Sequence, residues 1–307
     1  MARVLVTGIC GPAGSSLARQ LKSRGHWVLG ADARRARPGG ADAAAVVSPP
    51  HAPGYLWELR GLVANYGIEI LIPTISEELV LMSEARNDFA PGVQVLIADP
   101  ASVRAANDRY LTMTRLAKAG VSVPGFGLPG ILGSLQEAMD RLGGPLVVKP
   151  RVSRDGHGIR VLERTSDGGA RSARIWAGLD DSWLVQRFAP GAEYASVALR
   201  CGLVPEPDDL LVVLEKERLS TSRLGHTANV RNLEAHSGPD IARLARSAAA
   251  ALGLTGALGV DIRRMRDGTL VVLEVEARFG RHSAHVPQLL GNVLRRYVQG
   301  RELGRSA

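Results

Sequence analysis

At 307 residues with 45% hydrophobic content, the chain can bury a full core and hold two or three domains. Its 35 glycines and 17 prolines are spread along a sequence of near-zero mean hydropathy, which fits a compact α/β protein and excludes disordered and fibrous classes. The net charge of +8 raises nucleic acid as a partner, but the basic residues are scattered and no helix-turn-helix, RRM or basic-helix signature occurs, so no nucleic-acid role is expected.

The start, Met1-Ala2-Arg3, runs directly into an apolar β-run at 3–7, which leaves no room for a signal peptide. A glycine loop follows, then a helical stretch over 15–24 and a second strand over 26–31 that ends at Asp32. The pattern predicts a helix over 55–66, a buried strand over 69–73, a helix over 76–86 and a fourth strand over 93–97. Strands alternating with helices imply a parallel sheet covered on both faces, a Rossmann-like domain ending near residue 105. A helix over 107–119 is stopped by Gly120. Beyond Val123-Pro124 the pattern turns α+β. A helix over 137–142 precedes a strand over 145–150 and a polar loop over 151–158. Strands over 182–187 and 193–200 flank the turn Ala189-Pro190-Gly191, and an alanine-rich helix covers 240–252. Residues 259–275 read as a β-hairpin turned at Asp267-Gly268. Cys10 and Cys201 form neither a disulfide framework nor a zinc pattern, and no apolar run reaches membrane-span length. A cytoplasmic protein without a membrane partner is therefore expected.

Gly8, Gly11 and Gly14 have the spacing GxxGxxG, and Asp32 closes the next strand. In a dinucleotide enzyme such glycines admit a pyrophosphate to a helix N-terminus and the acid binds a ribose. An NAD(P)-dependent reductase of the short-chain kind also needs a tyrosine four residues before a lysine. None of Lys22, Lys118, Lys149 and Lys216 follows a tyrosine at that spacing. The plainer reading is that the glycines let the first strand turn tightly into its helix.

The strongest constellation is Val260-Asp261-Ile262-Arg263 with Leu273-Glu274-Val275-Glu276-Ala277-Arg278. Strand alternation puts Glu274 and Glu276 on one face. Counting back from a turn centred on Asp267-Gly268 places Asp261 opposite Glu274. Facing carboxylates repel, and at least one pKa should rise unless a cation intervenes. Hard oxygens so placed suit Mg²⁺ with substrate phosphates. The competing reading is a solvated acidic face neutralised by Arg263 or Arg278. Lys149 ends its apolar strand just before a loop holding Ser153, Asp155, Gly156 and Gly158, one way to hold a triphosphate. A surface hairpin with a snorkelling lysine would look the same.

Together, and in this order, these parts resemble the ATP-grasp superfamily, in particular single-module relatives of the carbamoyl-phosphate synthase large chain and amino-acid ligases of that type. The resemblance covers nearly the whole chain. It implies a Rossmann-like domain over 1–105 and an ATP-grasp domain over 106–307, with a lid-bearing subdomain at 106–185 and a metal-bearing one at 186–307. Pro73 to Leu79 looks like the end of the preceding α/β domain. Lys149 and the loop to Gly158, with Ser153 and Gly156, resemble the phosphate-binding lysine and flap. Gln186, Arg187 and Phe188 are similar to the hinge strand that binds adenine through its backbone. Glu193 matches the acid on the ribose hydroxyls, while Lys216 and Arg218 to Gly225 are similar to a strand and loop near the triphosphate. Asp261, Glu274 and Glu276 fall on metal-ligand positions, and Arg278 on the arginine that steadies the transferring phosphate. Two residues depart from the pattern. Arg109 stands where a second nucleotide-contacting lysine is usual, and Glu276 stands where Asn is commonest.

What the resemblance implies is an ATP-dependent carboxylate–amine ligase working through an acyl phosphate. ATP and Mg²⁺, with Mn²⁺ as a substitute, would be its cofactors, and a small acid, such as an amino acid, and an amine its partners. Arg281, His282 and His285 would bind one of these substrates or be solvated. A reductase using the front glycines and a non-catalytic ATP-binding protein are the alternatives. The sequence is compatible with a homodimer and does not set the oligomeric state.

Overall fold

The computed structural model describes all residues except 36–39, 154–155, 165–167, 218–228, 234–237 and 306–307, and no side chains beyond residue 296. Its first sheet is parallel, in the order β3-β2-β1-β4-β5, built from Arg3–Thr7 (β1), Trp27–Asp32 (β2), Ala43–Val46 (β3), Ile70–Ile72 (β4) and Gln94–Val95 (β5). Strand alternation sorts its side chains between two cores. Val4, Val6, Ile70 and Ile72 face one side, Leu5 and Leu71 the other, the latter under Tyr55 and Leu59 of the helix Tyr55–Tyr66 (α2).

Several elements differ from the sequence expectation. The first helix, Pro12–Ser23 (α1), starts inside the glycine loop, because a proline at the first helical position costs no hydrogen bond. The edge strand β3 was not expected, since its run of alanines carries neither alternation nor strong β propensity. The predicted helix over 76–86 opens as a tight turn at Ser76–Glu78 before Leu79–Glu84 (α3). Ahead of the expected helix lies another, Pro100–Asn107 (α4), whose Asp99 cap accepts from the Ala101 N–H. The chain leaves helical geometry at Asp108, which caps Arg109–Lys118 (α5) by accepting from the N–H groups of Tyr110 and Leu111.

A four-stranded antiparallel sheet, order β6-β9-β7-β8, contains Phe126–Gly127 (β6), Leu146–Pro150 (β7), Arg160–Leu162 (β8) and Trp183–Arg187 (β9). It packs with the helices Pro129–Leu132 (α6), Leu135–Leu142 (α7) and Gly168–Ala177 (α8) around Leu132, Met139, Leu146 and Val185.

The third sheet runs β12-β11-β10-β13-β14, from Glu193–Arg200 (β10), Leu210–Glu217 (β11), Asn229–Asn232 (β12), Gly256–Arg264 (β13) and Leu270–Glu276 (β14). Val213, Leu258, Val260, Ile262 and Val275 pack on the helix Pro239–Ala251 (α9). On the opposite face Ala195, Val197 and Leu199 join the first sheet's Val4 and Val6, with Phe279 and the last helix, Pro287–Arg305 (α10). The first and third sheets thus share one apolar core. No helix among the described residues is long and apolar enough to cross a membrane.

Candidate active site

The polar residues gather where the four-stranded sheet faces the third sheet. The register of β7 against β9 sets Val147 opposite Gln186, so Lys149, two residues on, shares a face with Gln186. Both are buried. The Lys149 Nζ donates to the Leu273 carbonyl at 2.9 Å. Burial, opposed by Glu274 and aided by Arg109, brings its pKa down to about 8.

Across the interface, β13 and β14 pair Asp261 directly with Glu274, as the hairpin count predicts. Two offsets cancel to give that result. The ladder near the turn pairs Arg264 with Leu270, centring the loop on Asp267 alone, and a bulge that leaves Leu273 unpaired restores the register. The bulged residue is the one whose carbonyl receives Lys149.

Each acid already holds a cation. Glu274 is bound by Arg109 at 2.5 Å, Asp261 by Lys216 at 2.7 Å and Glu276 by Arg278 at 2.7 Å. The expected rise of at least one carboxyl pKa holds at Asp261 and Glu276 and fails at Glu274. Burial would raise the Glu274 carboxyl, but Arg109 and Lys149 bring it below its ordinary value. Burial raises Asp261, where Glu193 and Glu274 add to the effect against Lys216. Glu276 is also raised by burial, with Glu274 and Asp261 adding to it against Arg278. The pairing of Glu276 with Gly259 and its turn toward Arg278 separate it from the other two acids. Among the described residues no group of three His, Cys, Asp or Glu lies close enough to hold a metal. Asp261 and Glu274 are the facing oxygen donors that suit a hard cation in this arrangement.

Glu193 is clamped from two sides, by Lys216 Nζ at 2.8 Å and by Arg263 Nε at 2.8 Å. Burial works to raise its carboxyl, but these cations hold it below the usual range, while the two acids on Lys216 push the ammonium up. Arg263 was considered as a neutraliser of the acidic hairpin. The structure instead puts it opposite Glu193, with its Nη1 on the Ala189 carbonyl.

In the hinge strand, the N–H groups of Arg187 and Phe188 donate to the carbonyls of Gly125 and Pro145. Among the described residues the side-chain Nε2 of Gln186 is buried without a partner, as is Arg109 Nε, and both are donors able to receive a ligand's acceptor atom. Arg109, almost fully buried, sends Nη1 to Pro150 O and Ser153 Oγ, and Nη2 to Ser153 O and Glu274. It ties the root of the flap to the acid pair. Ser153 in turn donates to His157 O, and Arg151 is fixed to Asp108, so the flap's first residue is anchored rather than loose. Gly156 and Gly158 adopt φ of 72° and 80°, and a Cβ on Gly158 would meet Pro150 at 2.8 Å. Arg218 and the segment to Gly225 lie outside the described residues.

The front glycines have a packing explanation. A Cβ on Gly14 would lie 2.3 Å from Gly8 O, and Gly8 itself takes φ 62° against Thr74. Asp32, the expected ribose acid of the reductase reading, accepts from the N–H groups of Cys10 and Arg34 within its own sheet edge. His282, in the turn Arg281–His285, has its pKa pushed down to about 3 by burial and then by Lys216, which leaves a neutral imidazole beside the acids; His285 is exposed. Reading by sequence missed Ser76 and Glu78. Glu78 is fully buried, and the acid pair Glu77-Glu78 between the apolar runs 70–72 and 79–82 was the available signal.

A family model described as an ATP-grasp domain matches residues 106–281. Among solved structures, an L-amino acid ligase from Bacillus licheniformis aligns at TM-score 0.70 and 16% identity, covering 93% of this chain and 69% of that one. An N5-carboxyaminoimidazole ribonucleotide synthetase from Thermotoga maritima aligns at 0.64 and 18%, covering 91% and 69%. A biotin carboxylase from Campylobacter jejuni, solved as a β-γ-ATP complex, aligns at 0.67 and 14%, covering 95% and 71%. At these identities the likeness establishes the fold. A comparison with curated protein sequences gives no match.

Proposed function

The chain belongs to the ATP-grasp family, and from that premise we propose that it is an ATP- and Mg²⁺-dependent ligase joining a small carboxylate to an amine through an acyl phosphate. The observation that carries this is the meeting of two sheets at one point. Lys149 and Arg109, from the flap side, reach Leu273 and Glu274 on the hairpin whose Asp261 faces Glu274. Cations that can take phosphate oxygens thus stand against carboxylates that can take a metal.

Asp261 and Glu274 would hold Mg²⁺, which when bound offsets charge on the phosphates. The rest falls to the chain's own groups. Arg109, which holds Glu274 in the metal-free protein, would exchange that contact for phosphate oxygens and share them with Lys149. Gln186, whose buried Nε2 has no partner among the described residues, shares a sheet face with Lys149 and supplies a donor to the base. Glu193 keeps Lys216 and Arg263 and accepts the ribose hydroxyls. Arg278, held by Ser76 and Glu276, meets the charge on the transferring group. The flap over 151–158 excludes water that would hydrolyse the acyl phosphate. We take 1–105 as the Rossmann-like unit and 106–307 as the ATP-grasp unit, with the lid in 106–185.

The test is ADP and phosphate release from ATP and Mg²⁺ against pooled amino acids, small carboxylates and amines. Release that needs both an acid and an amine supports the ligase. Nucleotide binding with no turnover against any pool points to a binding module instead, and NADPH oxidation points to a reductase.

A further inference from the structure

Strand β10 starts at the acids with Glu193 and ends, at Arg200, beside a second cavity of about 280 Å³. No residue placed above at the nucleotide or the metal lines it. Two strand edges border it instead. β5 is the last strand of the first sheet. Its Gln94 and Leu96 donate inward, to the carbonyls of Glu69 and Leu71, so the N–H of Val95 between them points away from the sheet. No described residue accepts it. In β13 the Arg264 N–H donates to Ala192 on the β10 side, and the Met265 N–H donates to Thr269 across the hairpin turn. Alternation therefore turns the odd-numbered residues, Ala257 among them, toward β14. Yet β14 ends at Glu276, opposite Gly259, two residues short of Ala257. Neither the N–H nor the carbonyl of Ala257 has a hydrogen-bond partner among the described residues. Half-buried backbone groups of this kind call for a partner from outside the ladder.

The rest of the wall says what that partner is. Leu96, Ala257, Phe279 and Val293 belong to the apolar core shared by the first and third sheets. Both arginines in the wall are engaged. Arg200 donates to the carbonyls of Ala249, Leu254 and Leu203, and Arg296 to Glu206 and the Cys201 carbonyl. Nothing here calls for an anion. The volume lies just under the range of roughly 300–1,000 Å³ usual for ligand pockets, so the occupant is small. We propose that the cavity binds a neutral amide about the size of one blocked amino-acid residue. Its own N–H and C=O exchange hydrogen bonds with Ala257, where β14 stops, and a second C=O accepts from the Val95 N–H. Ala277 and Phe279, on either side of Arg278, also line the cavity, so the occupant packs against the segment that carries that arginine. The site does not rest on the ligase reading.

The test is residue-resolved amide exchange by NMR on the full chain without ATP. N-acetyl-L-valine N-methylamide is the probe, and N-acetyl-L-valine, its charged counterpart, is the comparison. Exchange at Val95 and Ala257, fast in the free protein because neither N–H is bonded, should slow about fivefold or more with the amide. The carboxylate should need about tenfold or more concentration for the same effect. Ala257→Pro and Val95→Pro each delete one unbonded N–H and no ladder bond, and each should weaken probe binding by up to about tenfold, the loss of one hydrogen bond. Lys149→Ala should bind the probe like the wild type. Unchanged exchange at both amides in the wild type would mean that the cavity holds water only, and overturns the proposal. Equal or tighter binding of the carboxylate overturns the neutral class, and wild-type affinity in a folded proline variant overturns the pairing with that strand edge. Lost binding in Lys149→Ala would move the probe to the nucleotide site and also overturn the proposal. If neither proline variant folds, the comparison of the two compounds on the wild type still decides.

Discussion

The Arg278 guanidinium donates from Nε and Nη2 to the Ser76 hydroxyl, at 3.4 and 3.3 Å, across 202 residues of chain. Ser76 opens the turn after β4, so the first sheet aims the arginine proposed at the transferring phosphate. Ser76→Ala should lower kcat roughly three- to tenfold, as expected for one long hydrogen bond to a charged group, and leave KM for ATP nearly unchanged. An unchanged kcat in steady-state assays would show that Arg278 needs no such support.

That turn is itself fixed by Glu78. One carboxylate oxygen accepts from Thr7 Oγ1 at 2.5 Å and from the N–H groups of Thr74 and Ile75 at 3.0 and 2.9 Å, and the other accepts from the Tyr55 hydroxyl. Burial pushes this carboxyl up, so a neutral isostere fits: a glutamine can keep three acceptor bonds and turn its amide to Tyr55. Urea denaturation should show a loss of about 1 kcal/mol for Glu78→Gln and about 3–5 kcal/mol for Glu78→Ala. Equal losses would mean that the charge itself matters.

The first sheet was legible because each of its longer strands alternates between two apolar cores, and Leu5 against Val4 and Val6 declares both. The facing of Asp261 and Glu274 was legible from the hairpin count, although the bulge at Leu273 that makes it true leaves no mark in the sequence. Arg278 was legible as a neutraliser of the acidic hairpin, but the cations on Glu274 and Asp261 were not. Arg109 meets Glu274 across 165 residues and Lys149 meets Leu273 across 124, contacts set by the packing of two sheets rather than by local spacing. The consequence was an expected repulsion that Arg109 relieves at Glu274, while Asp261 and Glu276 keep raised carboxyl pKa values.

Lys149 gives the site a pH dependence. Its folded pKa, about 8, lies below the ordinary lysine value of 10.5. The folded state therefore releases this proton before the unfolded chain does. The cost of burying the charge is full below about pH 8 and is relieved as pH rises toward 10.5, so this group favours folding more at high pH. Nucleotide phosphates need the charged form and raise the pKa again. ATP binding near pH 8.5 should therefore take up a fraction of a proton, read as calorimetric heats that vary with the buffer's ionisation enthalpy. Buffer-independent heats, or uptake that persists in Lys149→Met, would assign the shift elsewhere.

Arg109 should act as the nucleotide-free latch on the flap. Arg109→Lys cannot span Pro150, Ser153 and Glu274 at once, so amide exchange over 151–153 should quicken about tenfold in the apo protein. Adding ATP and Mg²⁺ should slow exchange over 156–159 in both forms. A flap whose exchange ignores both the substitution and the nucleotide would not be a lid.

The account's central claim is tested most directly by phosphate release under saturating ATP and Mg²⁺, with an acid and amine found active for the wild type, in Glu274→Gln and Glu276→Asn. Glu274→Gln leaves the buried Arg109 without its ion pair, so the metal-free protein should be less stable by roughly 1–3 kcal/mol while still folding, and should lose nearly all turnover. Glu276→Asn leaves Arg278 bound to Ser76 and the Phe279 carbonyl and leaves Asp261 and Glu274 in place, and should keep turnover. Wild-type turnover in a folded Glu274→Gln would show that Asp261 and Glu274 serve only in structural ion pairs, and would contradict the claim.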